Sequence, residues 1–275
     1  MKLPIKRTQM GVVRLAPLWA CMLQAAVGSE LPHVQPLAAP VKSADVVGST
    51  HHVPGPVLSS MITAFEAPGL QALDVEALLD ACKSFLEFWR QMGVGAPLRV
   101  FDRNLQKCAC AAQHFGGHGA KRKGVTLESL LAAERSSGTI GPDGTVSQSS
   151  GSWGWLWNCR MLSYQCALFA AVLRAPPGDA EAPRRAALAA YEQELGPHHS
   201  PILRNVYRFG LPRGVPKRPA FLRSLGAVSS SATDEGFVLA EMARVVELWR
   251  PLLARWREAL IKAGVERGAC RDAHE

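Results

Sequence analysis

Residues 153–173 read WGWLWNCRMLSYQCALFAAVL, with apolar side chains recurring every three or four positions. This periodicity predicts an α-helix, because 3.6 residues complete one helical turn. One face of that helix carries four large side chains spaced by four, three and four residues: Trp153, Trp157, Arg160 and Tyr164. One interpretation of this face is a stripe of buried core residues. That would account for Tyr164, but an arginine in the middle of a buried stripe is unusual. An indole beside a guanidinium can instead hold the apolar face of a sugar ring or an amphipathic head group.

Helical spacing continues on both sides of this segment, and from Leu58 onward no convincing alternating strand interrupts it. The predicted helices are 70–92, 97–113, 126–135, 153–173, 180–195, 201–209 and 235–263. Ser200 followed by Pro201 is typical of a helix start. The stretch 138–152 is rich in Gly, Ser and Thr and predicts a loop. The sequence therefore predicts an all-α domain.

Composition limits the classes to which the protein can belong. A chain of 275 residues with 48% hydrophobic content can bury a core, which excludes wholesale disorder. Its seven cysteines form an odd number without a pairing rhythm, which favours free thiols in a reducing, cytoplasmic compartment over a disulfide scaffold.

The net charge of +8 predicts an anionic partner, either a membrane surface or a nucleic acid. Two stretches, 103–127 and 195–233, contain five and six basic residues and no acid. We expect them to make transient contact with an anionic membrane surface. A basic helical nucleic-acid-binding protein is the alternative, although the sequence shows no recognition-helix motif and we expect no nucleic-acid partner.

The first 56 residues differ from the rest of the chain. Residues 11–26 are apolar but are interrupted by Arg14 and Pro17, which makes a membrane span improbable. Five prolines follow between residues 31 and 56 and predict a linker. We therefore divide the chain into a disordered or targeting extension at 1–56, a helical domain at 57–265 and a tail at 266–275.

Three further residues suggest polar ligand contacts. Asp102 and Gln106 lie four apart in the helix predicted at 97–113, so their carboxylate and amide share one face and can hold a polyhydroxylated head group. The alternative is an ordinary solvated surface. His199 precedes a helix start, where a neutral imidazole is favoured over a second positive charge. A histidine beside a helix cap is most often structural.

A metal site is the other possibility. Cys108, Cys110, His114 and His118 offer two thiolates and two imidazoles. On a helix, however, the two cysteines point about 200° apart. The sequence also lacks a phosphate loop, a nucleophile elbow, a zinc-protease pair and a kinase signature. We expect no metal, no cofactor and no enzymatic activity.

In order along the chain, these pieces resemble the glycolipid transfer protein family over about residues 58–263. Residues 88–93, FWRQMG, followed nine positions later by Asp102, resemble the family's apolar run that leads to Asp-x-x-x-Asn or Lys. Residues 156–162, LWNCRML, resemble its Leu-Trp/Arg-x-x-Arg-x-Leu helix. Residues 190–195, then His199 and the Arg/Pro-rich stretch 211–225, resemble the family's histidine region and the loop after it.

The resemblance implies a monomeric, two-layer all-helical sandwich with a polar surface site for a sphingolipid head group and an apolar pocket for its chains. Asp102 would bind sugar hydroxyls or the ceramide amide, with Gln106 beside it. Trp157 would stack on the first sugar, next to Arg160, and His199 would bind the amide carbonyl.

Departures from the family pattern bear on the head group. Gln106 stands where the family has Asn or Lys, Ala109 where glycolipid-binding members have Lys, and Pro201 where the family has Trp. Members selective for phosphorylated ceramide surround the phosphate with one Lys and two Arg, at positions where this chain has Gln106, Trp157 and Arg160. Because one cation clamps a phosphate poorly, a glycosphingolipid is favoured over ceramide-1-phosphate or another phosphosphingolipid.

Overall fold

The computed structural model describes residues 57–92, 96–116, 124–226 and 235–265, and in these ranges the chain forms nine α-helices and two short 3₁₀ turns. The helices are α1 (Val57–Phe65), α2 (Val75–Gln91), α3 (Ala96–Gly116), α4 (Leu127–Ser136), α5 (Gly151–Arg174), α6 (Ala182–Glu194), α7 (Pro201–Gly214), α8 (Arg218–Gly226) and α9 (Glu235–Lys262). Beyond two isolated bridges the described residues contain no β-structure, which confirms the predicted all-α class. The predicted extension at 1–56 and the tail at 266–275 lie outside the described ranges.

The boundaries differ from the predicted ones at several points. The helix predicted at 70–92 is divided, because Leu73 adopts a left-handed φ of 51° after a 3₁₀ turn over Pro68–Ala72. Asp74 then caps α2 by accepting a hydrogen bond from the Ala77 N–H. Two short helices, α1 and α8, were not predicted. The predicted loop at 138–152 ends two residues earlier, since Ser150 caps the first turn of α5.

Helix α5 is the centre of the fold and packs against α3, α6 and α9. Its Trp155 meets Trp256 of α9 with ring centroids 5.5 Å apart, and both rings are fully buried. Met242, Val245 and Trp249 of α9 are also fully buried. Burial on several sides of α5 fixes the direction in which each of its side chains points.

A carboxylate from α4 holds the N-terminus of α5 in place. Glu134 is 1% exposed, and its two oxygens accept hydrogen bonds from the backbone N–H groups of Gly151 at 3.0 Å and Ser152 at 2.8 Å. The Ser150 hydroxyl accepts from the N–H of Trp153. Three backbone donors that a helix start leaves without intrahelical partners are thereby satisfied.

Helices α3 and α5 approach each other most closely at Gly154. A Cβ atom at this position would lie 2.5 Å from the backbone oxygen of Asn104 and 2.8 Å from Sγ of Cys108. We expect Gly154→Ala to lower the free energy of unfolding by about 1–3 kcal/mol, because the two helices must separate. At a helix position with room for a methyl group, replacing glycine by alanine raises the free energy of unfolding by up to about 1 kcal/mol. A decrease would therefore indicate that the two helices are in close contact at Gly154.

Chemical denaturation measures this difference. Gly178→Ala, in the turn between α5 and α6, is the control for a glycine with room for a methyl group, because a Cβ there meets nothing within 4 Å. A Gly154→Ala protein at least as stable as the parent would contradict close backbone packing at this crossing.

Candidate functional site

A cavity of about 90 Å³ lies between α3, α5, α6 and α7. Part of its lining is apolar: Val100, Phe101, Met161, Leu195 and Leu211. The other lining residues carry nitrogen or oxygen atoms: Asn104, Trp157, Tyr164, Tyr191, His199 and Tyr207. The chain contains three tyrosines, and all of them line this one cavity. The cavity therefore combines an apolar interior with several hydrogen-bonding groups.

Three aromatic rings from different elements stack at the cavity. The imidazole of His199 lies between the indole of Trp157, at 5.5 Å and 17°, and the ring of Tyr207, at 5.3 Å and 20°. The guanidinium carbon of Arg160 is 5.2 Å from the centroid of the Trp157 ring. Three of the five predicted site residues, Trp157, Arg160 and His199, are thus brought together.

His199 is held as a neutral imidazole. Its Nδ1 lies 2.9 Å from the hydroxyl of Tyr191. Burial lowers the pKa of His199 to about 4, and the nearby charges of Arg160 and Arg204 act in the same direction. When the Tyr191 phenol donates to Nδ1, the single proton of the neutral ring resides on Nε2. That nitrogen can then donate one hydrogen bond to a ligand.

The other two predicted site residues, Asp102 and Gln106, do not line the cavity. At about 100° per residue, each lies about 200° around α3 from Asn104, which does line it. The Asp102 carboxylate is 3.9 Å from the Arg90 guanidinium on α2, and Gln106 is exposed. Lipid contacts by these two side chains stay predictions.

Asn104 is the polar residue of α3 that the sequence analysis missed. Its side chain is buried, and its Oδ1 accepts a hydrogen bond from Nζ of Lys107 at 3.2 Å. Burial lowers the pKa of Lys107, and the charge of Arg103 acts in the same direction. The three-residue spacing of Asn104 and Lys107 was the available signal, because it places both on one helix face.

The alternative metal site is not assembled in the described part of the chain. Cys108 is buried and Cys110 is exposed, consistent with their separation around α3. His118 lies outside the described residues. Among the residues that the structure describes, no three potential ligands come together. In the same residues, no helix has the length and apolar content needed to cross a bilayer.

Structural comparison finds the same fold in lipid-binding proteins. The Arabidopsis accelerated-cell-death 11 protein, as a point mutant complexed with C12 ceramide-1-phosphate, aligns with a TM-score of 0.59 and 17% identity over 76% of this chain and 98% of its own. Human ceramide-1-phosphate transfer protein, in complex with 12:0 ceramide-1-phosphate, aligns with a TM-score of 0.55 and 17% identity over 75% and 99%.

A third structure, described as showing how FAPP2 selects simple glycosphingolipids using the GLTP-fold, aligns with a TM-score of 0.59 and 19% identity over 76% of this chain and 97% of its own. These likenesses confirm the two-layer helical sandwich. No curated protein sequence matches the chain significantly. The sequence model of the glycolipid transfer protein (GLTP) family matches residues 73–227, more than half of the chain. The chain therefore belongs to the glycolipid transfer protein family.

Proposed function

We propose that this protein binds a sphingolipid and carries it between membranes without making or breaking a covalent bond, and that its preferred ligand is a glycosphingolipid. One observation carries the proposal: Trp157 and His199 stack on each other in the lining of a partly apolar cavity, and the Arg160 guanidinium lies over the Trp157 ring. Family membership supports lipid transfer in general. The preference for a sugar rests on the chemistry of these side chains.

The site offers hydrogen bonds suited to a sugar and an amide. The indole N–H of Trp157 is buried and has no hydrogen-bond partner among the described residues. It can donate to a ligand oxygen while the ring stacks on a sugar. The Nε2–H of neutral His199 can donate to the amide carbonyl of a ceramide. Asn104 of α3 lines the cavity and adds a side-chain amide to these donors.

Ceramide-1-phosphate is the second candidate, because more than one cation lies close to this site. Arg160 and Arg204 are both near enough to His199 to lower its pKa. However, Nη2 of Arg204 donates to the His199 backbone oxygen at 3.3 Å, and Lys107 donates to Asn104. Arg204 and Lys107 are therefore already hydrogen-bonded within the protein. A dianionic phosphate could bind them only if those hydrogen bonds were lost.

Vesicle transfer with a glycosylceramide and a ceramide phosphate of equal chain length tests the proposal. We expect the folded protein to accelerate exchange of both lipids or of the glycosylceramide alone, and to move the glycosylceramide faster. A faster ceramide phosphate would overturn the sugar assignment. Failure to move either lipid would overturn the function itself.

The cavity must enlarge to hold lipid chains. Its volume of about 90 Å³ corresponds to roughly three water molecules. A sphingolipid has two long chains, and removing each methylene from water contributes ~0.8 kcal/mol. Chain entry must therefore separate some of the helices that enclose the cavity.

Helix α7 supplies a surface suited to membrane contact. Ile202 and Phe209 are 80% and 67% exposed and lie seven residues apart, hence on one face of the helix. Exposed Arg213 lies four residues beyond Phe209 on the same helix, within the acid-free stretch 195–233. We infer that this face inserts its two apolar side chains among lipids while the arginine attracts an anionic leaflet.

Replacing Ile202 and Phe209 together by serine should weaken binding to anionic vesicles roughly tenfold, because two apolar anchors are lost. Vesicle sedimentation and transfer rate measure the effect. The matched control is Phe237→Ser with Ile261→Ser, which removes one exposed phenylalanine and one exposed isoleucine from α9. Equal loss of binding in both double variants would argue against a docking face on α7.

A further inference from the structure

Tyr164 lines the cavity and carries a hydroxyl group that the protein leaves unused. Its side chain is 8% exposed, and its Oη has no hydrogen-bond partner in the part of the chain that the structure describes. Buried hydroxyl groups nearly always have a partner, because desolvation without one costs free energy. Burial also raises the pKa of this phenol, so it remains a neutral group that both donates and accepts. The missing partner can be a ligand atom.

Tyr164 lies further along α5 than Trp157, the residue proposed to stack on the sugar. It follows Trp157 by seven residues on α5, or about 10 Å along the helix axis, on nearly the same face. The hydroxyl of Tyr191, by contrast, is hydrogen-bonded to Nδ1 of His199. The cavity residues Met161, Leu195 and Leu211 have no hydroxyl, amide or charged group to offer. Tyr207 also lines the cavity and lies close enough for Tyr164 to contribute to its raised pKa, but the Tyr164 hydroxyl makes no hydrogen bond to it. Tyr164 therefore offers a cavity hydroxyl that has no partner among the described residues.

We propose that Tyr164 hydrogen-bonds to an additional hydroxyl group on one of the two lipid chains. The protein would then prefer sphingolipids that carry this hydroxyl over those that lack it. This inference rests on the proposed function. Two positions in a ceramide provide such a hydroxyl: C2 of the acyl chain and C4 of the sphingoid base. The chemistry is the same for both, namely a hydroxyl that enters the apolar cavity with a chain. A lipid without it leaves the Tyr164 phenol buried and unsatisfied.

The test compares glycosylceramides that share one sugar and one pair of chain lengths. One carries no additional hydroxyl, the second a 2-hydroxyacyl chain and the third a 4-hydroxysphinganine base. We expect the wild-type protein to transfer at least one hydroxylated lipid roughly three- to tenfold faster than the parent lipid, as one net hydrogen bond would give. The lipid that shows the preference identifies the position of the hydroxyl.

Tyr164→Phe assigns the preference to this side chain. We expect the variant to lose the discrimination, so that it transfers the hydroxylated lipids no faster than the parent lipid. A wild-type protein that transfers all three lipids at one rate would overturn the inference and leave the proposed function intact. Discrimination that survives in Tyr164→Phe would also overturn it. Folded wild-type protein that moves none of the three lipids would instead refute the proposed function, and this inference with it.

Discussion

Replacing Trp157 by alanine should reduce the transfer of a glycosylceramide by roughly thirtyfold. A tryptophan at the centre of a binding site costs ~2 kcal/mol or more when it is truncated, and each 1.4 kcal/mol corresponds to about tenfold. Here the indole stacks against His199, lies beside Arg160 and carries an N–H that the described protein leaves without a partner. The variant loses the sugar platform and that donor together. Initial rates of lipid exchange between vesicles measure the effect.

The control for this prediction is Trp89→Ala. Trp89 is a half-buried tryptophan on α2 that packs against Phe85 and Phe88 and does not line the cavity. Its loss should lower stability without changing the rate of transfer per folded molecule. If Trp157→Ala transfers as well as the parent protein, the head-group site lies elsewhere. Circular dichroism of both variants shows whether the comparison concerns folded protein.

Helix α3 shows how far the sequence determines this site. Its buried apolar stripe was readable from periodicity: Leu98, Phe101, Leu105, Cys108 and Ala112. Asp102 and Asn104 lie on opposite borders of that stripe. Periodicity identifies the stripe but does not tell which border faces α5. The close approach of Gly154 to the Asn104 backbone settles it, and that contact joins residues 50 positions apart.

Within one helix the predictions were more specific. Trp157 and Arg160 were expected on one face, and the structure places the guanidinium over the indole. Local geometry is sufficient here, because each residue advances about 100° around the axis. The convergence of three tyrosines was not predicted, since it depends on how α5, α6 and α7 pack together. Such packing is set by side-chain shapes across many contacts rather than by spacing.

Replacing Glu134 by alanine should lower the free energy of unfolding by about 3 kcal/mol. The change removes both acceptors of the Gly151 and Ser152 N–H groups in a buried position. Each buried donor left without a partner costs ~1–3 kcal/mol. The negative charge at a helix N-terminus contributes up to about 2 kcal/mol more in a partly buried site. Water entering the space left by the side chain offsets part of this sum.

Glu134→Gln separates the two contributions. The glutamine keeps one acceptor oxygen but lacks the charge and presents an N–H₂ group to the second donor, so we expect an intermediate loss of about 1–2 kcal/mol. Glu247→Ala on the exposed side of α9 is the control and should change stability by less than about 0.5 kcal/mol. The denaturant midpoint should therefore be highest for Glu247→Ala, intermediate for Glu134→Gln and lowest for Glu134→Ala.

The position of Glu134 links this stability effect to lipid binding. Its two hydrogen bonds fix the first residues of α5, and Trp157 follows Gly151 by six residues on the same helix. Loosening the helix start lets the second turn move relative to His199, which comes from a different element. We therefore expect Glu134→Gln to slow transfer per folded molecule, whereas Glu247→Ala leaves it unchanged. Transfer by folded Glu134→Gln at the parental rate would show that the carboxylate stabilises the fold without positioning the indole.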